Sequence, residues 1–306
     1  MGQASFERRW ARENRRGADL EKFARRERLN RGLHGIIIKA LEVTGLMIRA
    51  RRNFSDIELV TRELEVRNLP PAFDGFCILQ MSDLHIDLFP EALTPAILRV
   101  LENADYDLCV DTGDFMLRHN KWPVAKKEIS QIAAAVSAPH YGVLGNHDSI
   151  KMAADLEALG IRLLLNEATP IRRGDDEIWL VGVDDPHYFQ SHDLDRALAG
   201  VRAACAPTRP PIILLSHAPV LAPEAASGGR VDALLCGHTH GGQLCLPGGL
   251  PVVTHSRSSR LRVKGAWRIG DMEGYTSRGV GCSGVAARFN CRPEIVRHIL
   301  RPKLCN

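Results

Sequence analysis

The stretch Ala233-Leu234-Leu235-Cys236-Gly237-His238-Thr239-His240-Gly241-Gly242-Gln243 begins apolar and ends in two histidines one residue apart. An extended chain points residues i and i+2 to the same side, so both imidazoles can reach one centre. Four other apolar runs end in polar residues of the same kind. Phe76-Cys77-Ile78-Leu79-Gln80-Met81 delivers Ser82-Asp83-Leu84-His85, and Asp107-Leu108-Cys109-Val110 delivers Asp111-Thr112-Gly113-Asp114. Tyr141-Gly142-Val143-Leu144 delivers Gly145-Asn146-His147-Asp148, and Ile212-Ile213-Leu214-Leu215 delivers Ser216-His217. Nearly continuous apolar runs of this length suit strands covered on both faces.

Helical patterns lie between the runs. Thr94 and Pro95 read as an N-cap and first residue of a helix through about Asn103; Pro123 opens a second, and a third covers about Ile150 to Leu159. Strand and helix alternate, which predicts a parallel α/β core with its ligands at the carboxyl ends of the strands. Past Gly160 the pattern changes to strand-like pieces at Arg162 to Leu165, Pro170 to Arg172 and Ile178 to Val183, with a helix near Leu194 to Ala204. Short strand candidates follow at Ala266 to Ile269 and Ile295 to Leu300, and residues 54–68 read as an outer strand ahead of Pro70-Pro71. The expectation is an α/β fold of two packed mixed β-sheets flanked by helices, one domain over residues 53–306.

Composition sets the outer bounds. With 306 residues and 45% hydrophobic content the chain can bury a large core, and no run approaches the roughly 20 apolar residues of a membrane span. The eight cysteines form no C-x-x-C pair and several sit inside apolar runs, as free thiols do in a reducing compartment. The formal charge of +4 conceals an asymmetry: residues 1–52 carry 14 Lys or Arg against 6 Asp or Glu, and the remainder 26 against 30.

That basic end, residues 1–52, reads as a separate helical segment. Residues 5–31 predict a solvated helix or mobile arm. Residues 33–48 then place Leu33, Ile36, Ile37, Ala40, Leu41, Val43, Met47 and Ile48 on one broad helical face, with Ile38 and Leu46 off it, followed by Arg49, Arg51 and Arg52. The expectation is peripheral contact of residues 33–52 with an anionic membrane, on the cytoplasmic face; a helix docked on the protein's own body or on a second copy competes with it. The paired arginines are not followed by an apolar region and cleavage site, which disfavours export. Phe6, Trp10 and Phe23 are the only stacking groups in residues 5–31, so a nucleic-acid partner is not expected.

The strand ends collect Asp83, His85, Asp114, Asn146, His217, His238 and His240, with His147 and Asp148 beside them. Oxygen and nitrogen donors without thiolate suit two divalent ions, Mn, Fe or Zn, and seven donors exceed what one catalytic zinc uses. The order D-x-H, G-D, G-N-H-D, H and G-H-x-H resembles the calcineurin-like binuclear metallophosphoesterases, with a four-layer sandwich implied. The resemblance implies that Asp83, His85 and His240 hold one metal, that Asn146, His217 and His238 hold the other, and that Asp114 bridges. It implies His147 as the group that protonates the leaving oxygen or stabilises the transition state, with Asp148 orienting its ring; capping of the following helix by Asp148 or Ser149 stands as the alternative. Arg278 and Arg288 are candidates for gripping substrate phosphate, against a structural salt bridge. Asp184, Asp185 and His187 form a further polar cluster with no assigned role.

The tail, including Thr276-Ser277-Arg278-Gly279-Val280-Gly281, also resembles a bacterial, often membrane-associated branch that includes UDP-2,3-diacylglucosamine pyrophosphatases of lipid A synthesis. The resemblance therefore implies a two-metal hydrolase of phosphodiester or pyrophosphate bonds, on a lipid or lipid-linked nucleotide. A nucleotide or nucleic-acid phosphodiesterase, and a non-catalytic binding protein on the same fold, are the alternatives; the complete donor set opposes the second.

Overall fold

Successive residues of a strand face opposite ways, and the buried strands of this chain use both faces. The computed structural model describes residues 2–14, 32–33, 35–204, 209–254 and 258–303. The chain opens with α1 (Gln3–Glu13), α2 over 35–43 and α3 (Met47–Asn53). It continues through β1 (Glu58–Val66), β2 (Cys77–Met81), α4 (Pro90–Asn103), β3 (Leu108–Asp111), α5 (Trp122–Ala135), β4 (His140–Gly142), α6 (Ala153–Ala158) and β5 (Ile161–Leu163). Then come β6 (Glu167–Arg173), β7 (Asp176–Gly182), α7 (Leu194–Ala204), β8 (Ile212–Leu215), α8 (Ala222–Ala226) and β9 (Ala233–Cys236). The last elements are β10 (Cys245–Leu246), β11 (Leu250–Pro251), β12 (Gly265–Ile269), β13 (Met272–Thr276) and β14 (Glu294–Pro302).

Two six-stranded mixed sheets result, ordered β1-β14-β2-β3-β4-β5 and β12-β13-β9-β8-β7-β6. In the first, β2 to β5 are parallel; in the second, β7, β8, β9 and β13 are parallel, with antiparallel β6 and β12 at the edges. Alternation sorts the side chains. Ile78, Val110, Leu180, Ile213 and Leu235 share the core between the sheets. Leu79 and Cys109 pack outward with Ile97, Ile129 and Ile132, from α4 and α5. Val181, Ile212, Leu214 and Leu234 pack outward on the other side with Leu194 and Leu198 of α7. The layers are therefore helix, sheet, sheet, helix, the architecture expected from the sequence.

Three local expectations are corrected. Helix α4 starts at Pro90 rather than at Thr94-Pro95: Thr94 donates from Oγ1 to Glu128 Oε2 at 2.8 Å, tying α4 to α5. Pro95 sits inside the helix, where a proline costs about 3 kcal/mol in an isolated helix, a cost offset by burial of Leu93, Ala96 and Ile97 around it. The single helix expected over 33–48 breaks at residues 44–46, where Gly45 takes φ +73°, a left-handed conformation that stops a helix at glycine with little strain. Only part of its apolar face is used: Leu41, Met47 and Ala50 pack on Leu244 and Ala287, with Ile37 and Ile38 against them, while Ile36, Val43 and Ile48 stay exposed.

The third correction concerns α1. Its Ser5 and Arg9 are buried against the body, so residues 3–13 form a docked helix and not a solvated one. The remainder of the expected arm, residues 15–31, lies outside the described residues.

Candidate metal centre

The site is built where parallel strands end. Asp83 and His85 follow β2, Asp114 follows β3, Asn146 and His147 follow β4, His217 follows β8, and His238 and His240 follow β9. To turn their side chains inward the loops leave ordinary strand geometry: Asp83, His85, Asp114, His238 and His240 all have φ between +40° and +72°. Non-glycine residues rarely adopt that region, and each instance stores strain that the surrounding fold must hold. Two motif glycines are required by close approach. A Cβ at Gly145 would collide with the Asp114 carboxylate, and one at Gly237 with Ser82 and Asp83.

The donors gather into two groups, Asp83 with His85 and His240, and Asp114 with His217 and His238; within each group the donor atoms lie within 4.8 Å of one another. In the first, Nε2 of His85 is 3.1 Å from Nε2 of His240, and Asp83 Oδ1 is 3.7 Å from the latter. In the second, His217 Nε2 is 3.2 Å from His238 Nδ1 and 3.0 Å from Asn146 Oδ1. Asp114 Oδ2 reaches both, 3.3 Å from His217 Nε2 and 3.6 Å from His85 Nε2. Backbone carbonyls set the tautomers: Met116 O accepts from His85 Nδ1 at 3.2 Å and Thr112 O from His217 Nδ1 at 2.8 Å. The Nε2 lone pairs of these two rings therefore point into the site, the orientation a cation needs.

The electrostatics make the same point. Burial pushes the Asp83 carboxyl up to about 6, against the pull of His217. Burial pulls His85 down to about 4 despite Asp114. His217 goes the other way: burial disfavours its charge, yet Asp114 and Asp83 draw it up to about 10. Burial opposes the charge of Asp114 too, but His217, His147 and His85 hold its carboxyl well below the usual range. Carboxylate and imidazole donors face one another within 4.8 Å in each group, so positive charge is favoured at their centre. Divalent ions satisfy every donor at once, which protons cannot do.

Residues 77–242 match the calcineurin-like phosphoesterase family. The chain belongs to that family. Among its relatives, the phosphodiesterase YaeI of Escherichia coli is 31% identical over 229 residues, covering 72% of this chain and 80% of YaeI. The uncharacterized metallophosphoesterase YkoQ of Bacillus subtilis is 28% identical over 274 residues, 82% of this chain and 93% of its own. A Bos taurus transmembrane protein with metallophosphoesterase domain is 28% identical over 287 residues, which is 87% of this chain but 61% of that protein. As a calcineurin-like phosphoesterase the chain is a metal-dependent hydrolase, and its two donor groups agree with the family's binuclear chemistry.

The phosphoesterase site is held by residues whose roles differ from expectation. Asp148 does not orient His147. Its fully buried carboxylate accepts from the amides of Asp114 (2.7 Å), Gly145 (2.8 Å) and Phe115 (2.9 Å), fastening one site loop to another. Burial and the charge of Asp114 push Asp148 up to about 7. Ser149 is the cap, accepting from Lys151 N. The expected phosphate grip by Arg278 and Arg288 is also corrected. Arg288 is fully buried and donates to the carbonyls of His240, Arg278, Gly279 and Gly281, and Arg278 is engaged by Glu294 and Glu58. Arg288 thus braces the backbone of His240.

Half-buried His147 faces the site, its ring 5.2 Å from that of His85 and its amide donating to Asp114 Oδ1 at 2.8 Å. Asp111 is bonded to His140 at 2.6 Å, Asp185 accepts from the amides of Tyr188 and Phe189, and the His187 ring packs 4.4 Å from that of His238. Asp184 pairs with Arg9. Sequence reasoning missed Arg9 and Glu13 altogether, because an Arg and a Glu four apart on a charged helix look like any solvated pair.

Proposed function

We propose that this phosphoesterase hydrolyses phosphodiester or pyrophosphate bonds, with Asp83, His85 and His240 holding one divalent ion, Asn146, His217 and His238 the second, and Asp114 between them. The observation that carries the reading is Asp114 Oδ2, placed within 3.6 Å of an inward-facing imidazole nitrogen in each group. Two divalent ions supply an activated water and neutralise charge on the attacking and leaving oxygens. The chain's own part is to aim the donors through Met116 O and Thr112 O and to hold Asp83 by the His238 amide. Hydrolysis forms one P–O bond from water and breaks another, and His147 gives its proton to the leaving oxygen.

The substrate we favour is a lipid or lipid-linked nucleotide such as UDP-2,3-diacylglucosamine, met at the cytoplasmic face of a membrane. Exposed Ile36, Val43 and Ile48 beside exposed Lys39, Arg49, Arg51 and Arg52 support an interfacial helix pair. Among the described residues no helix is long and apolar enough to cross a membrane. The free thiols of Cys77, Cys109, Cys236, Cys245, Cys282 and Cys291 agree with a reducing compartment. The test is hydrolysis of bis-p-nitrophenyl phosphate with Mn²⁺, abolished by chelation and by Asp114→Ala; activity that survives both rejects the metal pair. A panel of UDP-linked lipid, nucleotides and DNA then fixes the substrate, and preference for DNA rejects the lipid reading.

A further inference from the structure

Arg9 of α1 is fully buried, and each of its donors is spent on or near one loop of the active site. Nη2 donates to the carbonyls of Gly145 at 2.8 Å and Asp148 at 2.7 Å, Nη1 donates to Asp184 Oδ1 at 2.7 Å, and Nε donates to Glu13 Oε1 at 2.9 Å. The guanidinium lies 3.7 Å from the centroid of the Phe189 ring. Glu13, one turn further along α1, accepts from Ser149 Oγ at 2.9 Å and from the amide of Ile150 at 2.7 Å. Two residues of the N-terminal helix thereby grip the backbone of residues 145–150. That loop carries Asn146 and His147.

Burying a guanidinium is costly unless its partners repay the lost water. Burial works to strip the proton from Arg9, but Asp184, Asp185 and Glu13 hold it on. The three nitrogens of the planar fork reach Glu13, Asp184 and two loop carbonyls together, four acceptors against the three N–H groups of an ammonium, so a lysine that keeps the Asp184 pair gives up part of this grip. From the opposite side the Asp148 carboxylate binds the amides of Gly145 and Asp114. The segment between these two attachments is the one whose half-buried imidazole must meet the leaving oxygen. A displacement there of about 1 Å costs about 100-fold in rate in a well-oriented site.

We propose that Arg9 is a positioning residue for the phosphoester reaction: α1 completes the active site by fixing the Asn146–His147 loop, so proton delivery from His147 depends on the N-terminal helix. This rests on the phosphoesterase reading above. Arg9→Lys keeps the charge facing Asp184 without the fork, and Arg9→Met with Asp184→Asn removes the fork together with the carboxylate it pairs with, while Glu13 keeps its bonds to Ser149 and the Ile150 amide. In both, amide exchange over residues 145–150 is expected to accelerate while the strands of the core stay protected. With aryl phosphodiesters of increasing leaving-group pKa, kcat should fall about 10- to 100-fold on the poorest leaving group and much less on p-nitrophenolate, with KM unchanged. A merely structural defect would depress all substrates alike. Wild-type exchange and wild-type leaving-group dependence in both variants would overturn the proposal, and so would a uniform loss across the series. If the wild-type protein hydrolyses nothing, the phosphoesterase reading fails instead, while amide exchange still reports whether α1 holds the loop.

Discussion

Helix α1 and the pair α2 and α3 come from the same basic segment and meet the body in opposite ways. The polar helix buries a cation: Arg9 disappears beneath the 145–150 loop. The apolar pair leaves Ile36, Val43 and Ile48 in solvent and buries Leu41, Met47 and Ala50. Burial in this segment follows available partners rather than hydrophobicity. A guanidinium surrounded by carboxylate and carbonyl oxygens is repaid for its lost water, whereas exposed isoleucines gain only if some further apolar phase covers them.

That contrast can be broken experimentally at several points. The metal centre sets the largest scale: Asp114→Ala should lower kcat more than about 100-fold, since even outer partners of a metal site are worth about 10- to 100-fold, and a steady-state assay with added Mn²⁺ checks it. Next is Arg9→Ala, which strands Asp184 in the interior and should cost about 3–5 kcal/mol by urea denaturation. A loss near zero would mean that α1 does not dock in solution.

The buried pair of His140 and Asp111, 2.6 Å apart and outside α1, is the control. Burial disfavours the charge of His140, but Cys109 and Asp111 raise its pKa well above the usual 6.5. A histidine with a raised folded value stabilises fully below about pH 6.5 and loses that contribution as pH climbs through the folded value, by about 1.4 kcal/mol per pH unit separating the two. The penalty of His140→Gln, measured by denaturation across that range, should therefore shrink with rising pH, while the penalty of Arg9→Ala, whose guanidinium does not titrate there, should not. The smallest effect on folding belongs to Ile36→Asp with Ile48→Asp, within about 0.5 kcal/mol, yet that variant should no longer sediment with phosphatidylglycerol vesicles. If the wild-type protein also ignores such vesicles, α2 and α3 serve something other than a membrane.

Much of this could be read from the chain alone because the relevant signals are local. Buried strands announce themselves as apolar runs, and His217 or the His238-Thr239-His240 triplet is visible as the polar end of one. Corrections came where a local rule had competitors. Thr94-Pro95 satisfies a helix-start pattern, but burial of Leu93 and a hydrogen bond to Glu128 let the helix begin one turn earlier, at Pro90. Arg278 and Arg288 carry the forks that phosphate recognition uses, yet neighbouring carboxylates and carbonyls claim them. Asp148 lies next to His147 in sequence and turns its carboxylate the other way, toward the amides of Asp114 and Gly145.

The order of motifs along the chain determined the layered α/β architecture and the metal-dependent chemistry, because strand periodicity and the donor types at strand ends are properties of short segments. Only the tertiary structure decided which charged groups serve the site from outside it. Arg9 and Gly145 are separated by 136 positions, and nothing in either neighbourhood encodes that a guanidinium will find those carbonyls. Hydrogen-bond partners for a buried charge are chosen by the packed fold, since burial is what makes an unpaired ion costly.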